Sequence, residues 1–231
     1  MRASLPNRCL LCHQTIGGDG SGLCQDCLQQ GCYHQPVCLG CGRGMTLQAK
    51  YCGSCQQTQP LPVVAPASYH QGLGSVVADL KYRGELAPLQ ALCSALVSRI
   101  EELEALNIIT RPQALLPVPL HASRLRQRGF NQAYVIARAL SAALDIPVLD
   151  DVVVRTLATR AQAGLDGKAR RHNLRGAFML VQPVPVVRIA IIDDVVTTAS
   201  TVEEMAALLA WQAPDLQVWC LARAEAPGLL D

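Results

Sequence analysis

Four Cys-x-x-Cys pairs near the start of the chain restrict what this part of the protein can fold into. The first two pairs are separated by 11 residues and the later pairs by 10 residues each. Two thiolates at this spacing reach one zinc ion at about 2.3 Å, and a second pair beyond a short hairpin completes a tetrahedral site. This spacing occurs twice and predicts two structural zinc ions, held by Cys9, Cys12, Cys24, Cys27, Cys38, Cys41, Cys52 and Cys55.

The order in which the pairs share the two ions is open from the sequence. Sequential pairing keeps the loops short, and a cross-braced arrangement is the alternative. A disulfide framework is disfavoured because the first 55 residues hold nine cysteines, an odd number, and begin with no secretory signal. Redox motifs would need a flanking β-α-β pattern, which these segments lack. We interpret Cys32, His13 and His34 as bystanders, because none stands at a ligand spacing.

Composition divides the chain into two parts. Nine of the 17 glycines lie in residues 1–55, where there is little aliphatic periodicity, so this part is predicted to depend on its metal for folding. Residues 56–66 (QQTQPLPVVAP) are polar and then proline-rich, which is typical of a semi-rigid spacer. We therefore predict a double zinc-ribbon module at 1–58, a linker at 59–66 and a second domain at 67–231.

Neither the net charge nor the apolar runs of the sequence indicate a binding partner. The 20 basic and 18 acidic groups leave a net charge of +2, so there is no global polybasic field. No apolar run reaches the roughly 18 residues that a membrane-spanning helix needs. We therefore expect no transmembrane segment and a cytoplasmic protein.

The second domain alternates strands with helices. This alternation predicts an α/β fold with a mostly parallel sheet, in which ligands lie beyond the carboxyl ends of the strands. The predicted elements are a buried strand at 114–118, a helix capped by Asn131 and running to Leu144, a strand that begins near Val152, a long strand at 186–192, a helix at 201–210 and a final strand at 217–221.

A phosphate site is predicted after the long strand. Asp193 and Asp194 follow Ile192, and a turn rich in hydroxyl groups then leads into a helix. Backbone N–H groups, hydroxyls and the positive end of the helix dipole together form an anion site. Two adjacent carboxylates repel each other, and binding of vicinal hydroxyls or a divalent metal compensates for this repulsion. The combination predicts a ribose 5-phosphate ligand.

The segment IIDDVVTTAST resembles the loop that binds phosphoribosyl pyrophosphate (PRPP) in type I phosphoribosyltransferases. The resemblance implies that Asp193 and Asp194 hold the ribose hydroxyls, with Mg²⁺ bound alongside PRPP. It assigns the 5-phosphate to Thr197, Thr198, Ala199, Ser200 and Thr201. That family usually has glycine where this chain has Ala199, so a positive φ at this position would strain the loop by about 1 to 3 kcal/mol.

The segment LPVPLHASRLRQRGFNQA and the pattern around residues 155–178 resemble the ComF/GntX family. In that family a phosphoribosyltransferase fold follows a cysteine-rich zinc segment. The resemblance implies that Arg124, Arg128 and Asn131 meet the pyrophosphate, and that Lys81 and Arg170 also contact PRPP. Six basic residues between 155 and 175 are predicted to form a lid over the pyrophosphate or a track for a nucleic-acid backbone.

The ComF/GntX resemblance implies an accessory role in DNA uptake, natural transformation or DNA utilisation. Single-stranded DNA and the DNA-uptake machinery are then the expected partners, beside PRPP. One alternative is an active transferase that displaces pyrophosphate at ribose C1 with a nitrogenous base or an amine, with Asp193 and Asp194 as its catalytic residues. A second alternative is a PRPP-sensing regulator. Whether the protein is an enzyme is open from the sequence.

Overall fold

The computed structural model describes residues 7–17, 20, 22–157 and 176–225, and for Lys81 and Tyr82 it describes the backbone alone. The helices within these ranges are α1 Gln25–Gly31, α2 Gly53–Thr58, α3 Gly74–Arg83, α4 Leu89–Ala105, α5 Ala122–Arg128, α6 Gln132–Leu144 and α7 Ser200–Leu209. The strands are β1 Val63–Val64, β2 Ala67–Ser68, β3 Ala114–Pro117, β4 Val153–Arg155, β5 Phe178–Leu180, β6 Arg188–Val196 and β7 Asp215–Arg223.

The larger domain is built around a parallel sheet in the order β1-β7-β6-β3, with β2 also paired to β7. Its two central strands, β6 and β7, pair from Arg188 and Asp215 at one end to Val196 and Arg223 at the other. Every pairing in this sheet is parallel. The predicted α/β fold with a parallel sheet is confirmed, and its carboxyl edge lies where β3, β6 and β7 end.

Helices cover both faces of the sheet because the side chains of the central strands alternate between the faces. Ala190 and Ile192 of β6 pack into a core that contains residues of α3, α4 and α6. Ile189 and Ile191 pack into a second core with α7 and the β4–β5 pair. The predicted cap of α6 is confirmed, since the Oδ1 of Asn131 accepts a hydrogen bond from the N–H of Ala133 at 3.1 Å.

Two strands differ from the sequence prediction. Strand β6 continues past Ile192 to Val196, because Val195 and Val196 are buried and pair with the end of β7. The strand that begins near Val152 lies outside the parallel sheet and forms an antiparallel pair with β5. Phe178 of β5 belongs to the core that α7 covers, so this pair closes one face of the domain.

The predicted linker at 59–66 contains a strand in its second half. Val63 and Val64 form strand β1, which pairs with Val218 and Trp219 of β7. Both valines are buried, as is Ala65. Burial of these β-branched side chains beside the sheet makes a strand of residues that the surrounding prolines and polar residues predict to be a spacer. This half of the segment therefore belongs to the sheet rather than to a free spacer.

The cysteine-rich module packs directly on the larger domain. Leu23 and Leu39 from the module lie in the same apolar core as Leu73 of the larger domain. A Cβ added at Gly31 would lie 2.5 Å from the side chain of Leu73, so α1 meets the larger domain at close range. None of the helices in the described ranges combines the length and apolarity that a membrane span requires.

Cys93 and Cys220 are buried core thiols and are predicted to resist modification. Burial raises the pKa of each to about 12, so both stay protonated at pH 8, and the thiolate is the reactive form. We expect Ellman's reagent to leave both unlabelled in the folded protein at pH 8 and to label them after denaturation. Peptide mapping of the labelled sites is the measurement, and rapid native labelling of either cysteine would contradict the prediction.

Candidate functional site

The eight paired cysteines form two four-sulfur clusters, and the pairing is sequential. Within each cluster every sulfur lies within 4.8 Å of the others. The first cluster is Cys9, Cys12, Cys24 and Cys27, and the second is Cys38, Cys41, Cys52 and Cys55. One sulfur pair in each cluster, Cys12–Cys24 and Cys41–Cys52, is 3.7 Å apart. A tetrahedral zinc ion with bonds of about 2.3 Å requires sulfurs about 3.8 Å apart, so the donor set fits zinc.

The two clusters repeat the same local geometry. The carbonyl of the first cysteine in each cluster accepts a hydrogen bond at 2.9 Å from the N–H four residues later, Cys9 from His13 and Cys38 from Gly42. His13 and Gly42 both take a positive φ. In the second cluster the backbone N–H of Cys55 lowers the pKa of the Cys52 thiol to about 7. Such backbone donors stabilise the thiolate form that a metal binds.

The predicted phosphate turn joins β6 to α7. Ala199 caps α7 in the left-handed region, with φ 58°, and no side chain of the described residues caps the helix. The first intrahelical bond runs from the N–H of Glu203 to the carbonyl of Ala199 at 2.8 Å. The N–H groups of the turn before Glu203 have no intrahelical acceptor. Thr198 Oγ1 and Ser200 Oγ lie 2.9 Å apart beside them, so the turn offers both kinds of donor to an anion.

The left-handed conformation of Ala199 predicts that glycine is preferred at this position. We expect Ala199→Gly to preserve the fold and to raise the free energy of unfolding by up to about 1 kcal/mol, because glycine takes this conformation without a Cβ clash. Ala199→Val is expected to lower it, since a β-branched residue is strained there. Urea denaturation of the three proteins measures both changes. A glycine variant less stable than the valine variant would contradict the prediction.

The paired aspartates lie inside β6 rather than beyond it. Asp194 is 5% exposed and Asp193 is half-buried. The Oδ1 of Asp194 accepts a hydrogen bond from the N–H of Val195 at 2.7 Å, and that of Asp193 from the N–H of Asp194 at 2.9 Å. Each carboxylate is thus oriented by the backbone amide that follows it. Both lie within a few residues of the phosphate turn.

The segment after β3 lies beside the aspartates. Pro117 pairs with Ile192, and the N–H of Val118 donates to the carbonyl of Ile192 at 2.9 Å. The segment then enters α5, which carries Arg124 and Arg128. Asn131 has both ends of its side chain engaged, since its Nδ2 donates to the carbonyl of Val118 at 3.0 Å while Oδ1 caps α6. The two hydrogen bonds of the Asn131 side chain therefore hold the start of α6 against the residue that follows β3.

Arg155 is a site residue that the sequence analysis did not single out. It ends β4, and its guanidinium lies 5.4 Å above the ring of Phe178. Burial and the like charge of Arg124 lower the pKa of Arg155 to about 10, while the Asp193 carboxylate opposes this shift. Arg124, Arg155 and Asp193 are therefore electrostatic neighbours. In the sequence Arg155 was one of six similar basic residues, and only the tertiary fold distinguishes it.

The predicted PRPP contacts Lys81 and Arg170 lie outside the side chains that the structure describes. Lys81 lies on α3, which contacts β6 and β7, but only its backbone is described. Arg170 lies outside the described residues, together with four others of the six basic positions predicted for the lid or track: Arg160, Lys168, Arg171 and Arg175.

These features define a class: a protein with a double zinc ribbon followed by an α/β domain with a phosphoribosyltransferase-like loop. The family model for the double zinc ribbon domain matches residues 1–56. Competence protein F of Haemophilus influenzae is 34% identical over 223 residues, covering 94% of this chain and 97% of that protein. DNA utilization protein YhgH of Escherichia coli K12 is 34% identical over 225 residues, covering 95% and 98%. The chain belongs to the ComF/GntX family, which these relatives represent.

Solved structures with a related arrangement are distant. A purine phosphoribosyltransferase from Pyrococcus horikoshii Ot3 has a TM-score of 0.33 and 19% sequence identity, covering 57% of this chain and 69% of that one. A hypoxanthine phosphoribosyltransferase from Trypanosoma cruzi has a TM-score of 0.34 and 13% identity, covering 59% and 76%.

Proposed function

We propose that this protein binds PRPP together with Mg²⁺ at the carboxyl edge of its parallel sheet and serves DNA uptake or utilisation as a cytoplasmic accessory protein. The observation that carries the proposal is the turn at 197–200. It places the N-terminal N–H groups of α7, which no side chain of the described residues caps, and the hydroxyls of Thr198 and Ser200 directly after the carboxylates of β6. An anion site beside paired carboxylates matches a sugar that carries both a phosphate and vicinal hydroxyls.

The remaining groups of PRPP have matching residues at the same edge. Asp193 and Asp194 would hold the ribose hydroxyls and the Mg²⁺. The pyrophosphate carries several negative charges, and Arg124 and Arg155 supply cations close to Asp193, while Arg128 lies on the same helix as Arg124. The proximity of Arg124 lowers the pKa of Arg155, and an anion between these two like charges would relieve their repulsion. Lys81 and Arg170 complete the proposed contacts on the basis of the family resemblance.

Calorimetric titration of the zinc-loaded chain with PRPP in the presence of Mg²⁺ tests the proposal. We expect one site per chain, and we expect binding to be at least tenfold weaker for ribose 5-phosphate, which lacks the pyrophosphate. The matched protein control is Arg111→Gln, which removes an exposed arginine paired with Glu104 away from the site. Absence of PRPP binding, or equal affinity for ribose 5-phosphate, would contradict the proposal.

Contact with single-stranded DNA is proposed at α5. This helix carries Arg124, Arg126 and Arg128 and no acidic residue, and Leu125 is exposed on it. A surface that combines cations with an apolar side chain can bind both the phosphates and the exposed bases of single-stranded DNA. The names of the relatives, which refer to competence and DNA utilization, support DNA as the macromolecular partner.

A filter-binding assay with labelled single-stranded DNA tests this contact. The retention of DNA by the protein should fall steeply with salt and should be weaker for Arg126→Gln. Retention of DNA that does not change with salt would contradict the proposed contact.

A catalytic role is the second candidate, favoured by the two arginines near Asp193. Cations at that place would stabilise a pyrophosphate leaving ribose C1 as a nitrogenous base or amine attacks. Incubation with PRPP, Mg²⁺ and a panel of such acceptors should then release pyrophosphate, and Asp194→Asn should abolish the release. Binding of PRPP without release for any acceptor would favour the accessory role or a PRPP-sensing role.

A further inference from the structure

The end of β7 connects the second zinc ribbon to the larger domain through one buried arginine. The guanidinium of Arg223 donates to the carbonyls of Leu39 at 2.9 Å and Gly40 at 2.8 Å, with a longer contact of 3.5 Å to Cys38. These three residues lie in the Cys38–Cys41 turn, which supplies two thiols of the second cluster. A side chain of the sheet therefore holds a metal-binding turn by its backbone.

The burial of Arg223 makes negative charge nearby favourable. Its side chain belongs to a residue that is 6% exposed, and it forms no salt bridge with a carboxylate in the described ranges. Burying a charge is costly, and hydrogen bonds to neutral carbonyls offset only part of that cost. Four thiolates around one divalent ion leave a net charge of two negative units. The filled second site would therefore add negative charge close to Arg223, beside that of Glu225, whose side chain lies against Gly42 as the Arg223 side chain does.

The same short segment reaches the phosphate turn. Arg223 pairs with Val196, the last residue of β6, and the N–H of Ala224 donates to the carbonyl of Val196 at 2.8 Å. Thr197, the first residue of the turn, follows immediately. Glu225 accepts a hydrogen bond from Tyr33 of the module at 3.0 Å and another from Ser68 of β2 at 2.9 Å, so it connects the segment to both parts of the protein. Residues 223–225 thus contact both the module and the end of β6.

We propose that Arg223 couples metal binding at the second ribbon to the phosphate turn, so that loss of that zinc loosens the turn and weakens PRPP binding. The part that concerns PRPP rests on the proposed function. Coupling between two sites is reciprocal, so PRPP should in turn slow the release of the second zinc. The first ribbon has no equivalent hydrogen bonds to the end of β7 in the described ranges, so its zinc should have a smaller effect on the turn.

Two matched ligand variants test the coupling. Cys12→Ser removes one ligand of the first cluster and Cys41→Ser removes the equivalent ligand of the second cluster. Each variant should keep about one zinc ion per chain. We expect Cys41→Ser to weaken PRPP binding in calorimetry at least fivefold relative to Cys12→Ser, the lower end of typical coupling. Hydrogen exchange of amides 197–202, measured without ligand, should be faster in Cys41→Ser. Equal exchange and equal affinity in the two variants would overturn the proposal.

A third variant addresses Arg223 itself and does not depend on PRPP. Arg223→Gln keeps hydrogen-bond donors at this position but removes the positive charge. We expect the variant protein to release one of its two zinc ions to a chromogenic chelator about tenfold faster than the wild-type protein does. Arg111→Gln should release both at the wild-type rate. Unchanged release from Arg223→Gln would overturn the role of the arginine. If the wild type binds no PRPP, the proposed function fails, while the exchange and release measurements still decide the coupling.

Discussion

Removing zinc from the full chain is expected to unfold the N-terminal module and to destabilise the larger domain with it. The module contributes few apolar residues to a core of its own, and those it buries, such as Leu23 and Leu39, pack into the core of the larger domain. Structural zinc contributes on the order of 10 kcal/mol to the folding of small thiolate modules. Loss of both ions should therefore lower the melting temperature of the whole chain as well as disorder the module.

Metal counting and thermal melting check this prediction together. The purified chain should contain about two zinc ions, from the eight cysteines in the two clusters. Treatment with a strong chelator under reducing conditions should remove both and lower the melting temperature by more than about 10 °C, and added zinc should restore it. Mutation of the unpaired Cys32 to serine is the matched control and should change neither property. A chain that melts identically without zinc would show that the module needs no metal.

Replacing Asp194 by asparagine is expected to cause the largest loss of PRPP binding. The side chain is nearly fully buried and accepts a hydrogen bond from the N–H of Val195. Asparagine has the same shape and its oxygen can accept the same bond, so the fold should be preserved. The variant lacks the negative charge that would hold Mg²⁺ and the ribose hydroxyls. Hydrogen bonds to charged groups contribute about 1.5–3 kcal/mol, which corresponds to roughly 10- to 150-fold weaker binding.

Calorimetry with PRPP and Mg²⁺ measures the effect. Asp193→Asn should also weaken binding, by a smaller factor, because Asp193 is more exposed and its interactions are screened by water. Asp215→Asn is the matched control: it changes an exposed aspartate on the neighbouring strand, at the opposite edge of the sheet. PRPP affinity that is unchanged in Asp194→Asn while the variant remains folded would remove this carboxylate from the proposed site.

Local sequence patterns predicted the features that depend on near neighbours. A two-residue gap between cysteines decides which thiols can share a metal ion. Asn131 predicted the start of α6 because a cap acts on an N–H two residues away. The resemblance of the loop after Ile192 identified Ala199 as a position that favours glycine, and its positive φ agrees with that expectation.

Features that depend on distant contacts were missed or misjudged. Val63 and Val64 looked like part of a spacer, and their strand exists because β7, more than 150 residues later in the chain, provides the pairing edge. The end of β6 was placed at Ile192 because two aspartates follow, whereas pairing with β7 extends the strand to Val196. No local pattern separates Arg155 from the basic residues that follow it.

The sequence alone therefore determined the ligands of the two metal sites, the α/β class of the second domain and the turn after β6, because each follows from spacing and periodicity over a few residues. The tertiary structure decided how these parts meet. It paired the cysteines sequentially, brought Arg155 near Asp193 and placed Arg223 on the second ribbon. Such contacts join residues far apart in the chain, and whether they form depends on the packing of the whole fold rather than on any local segment.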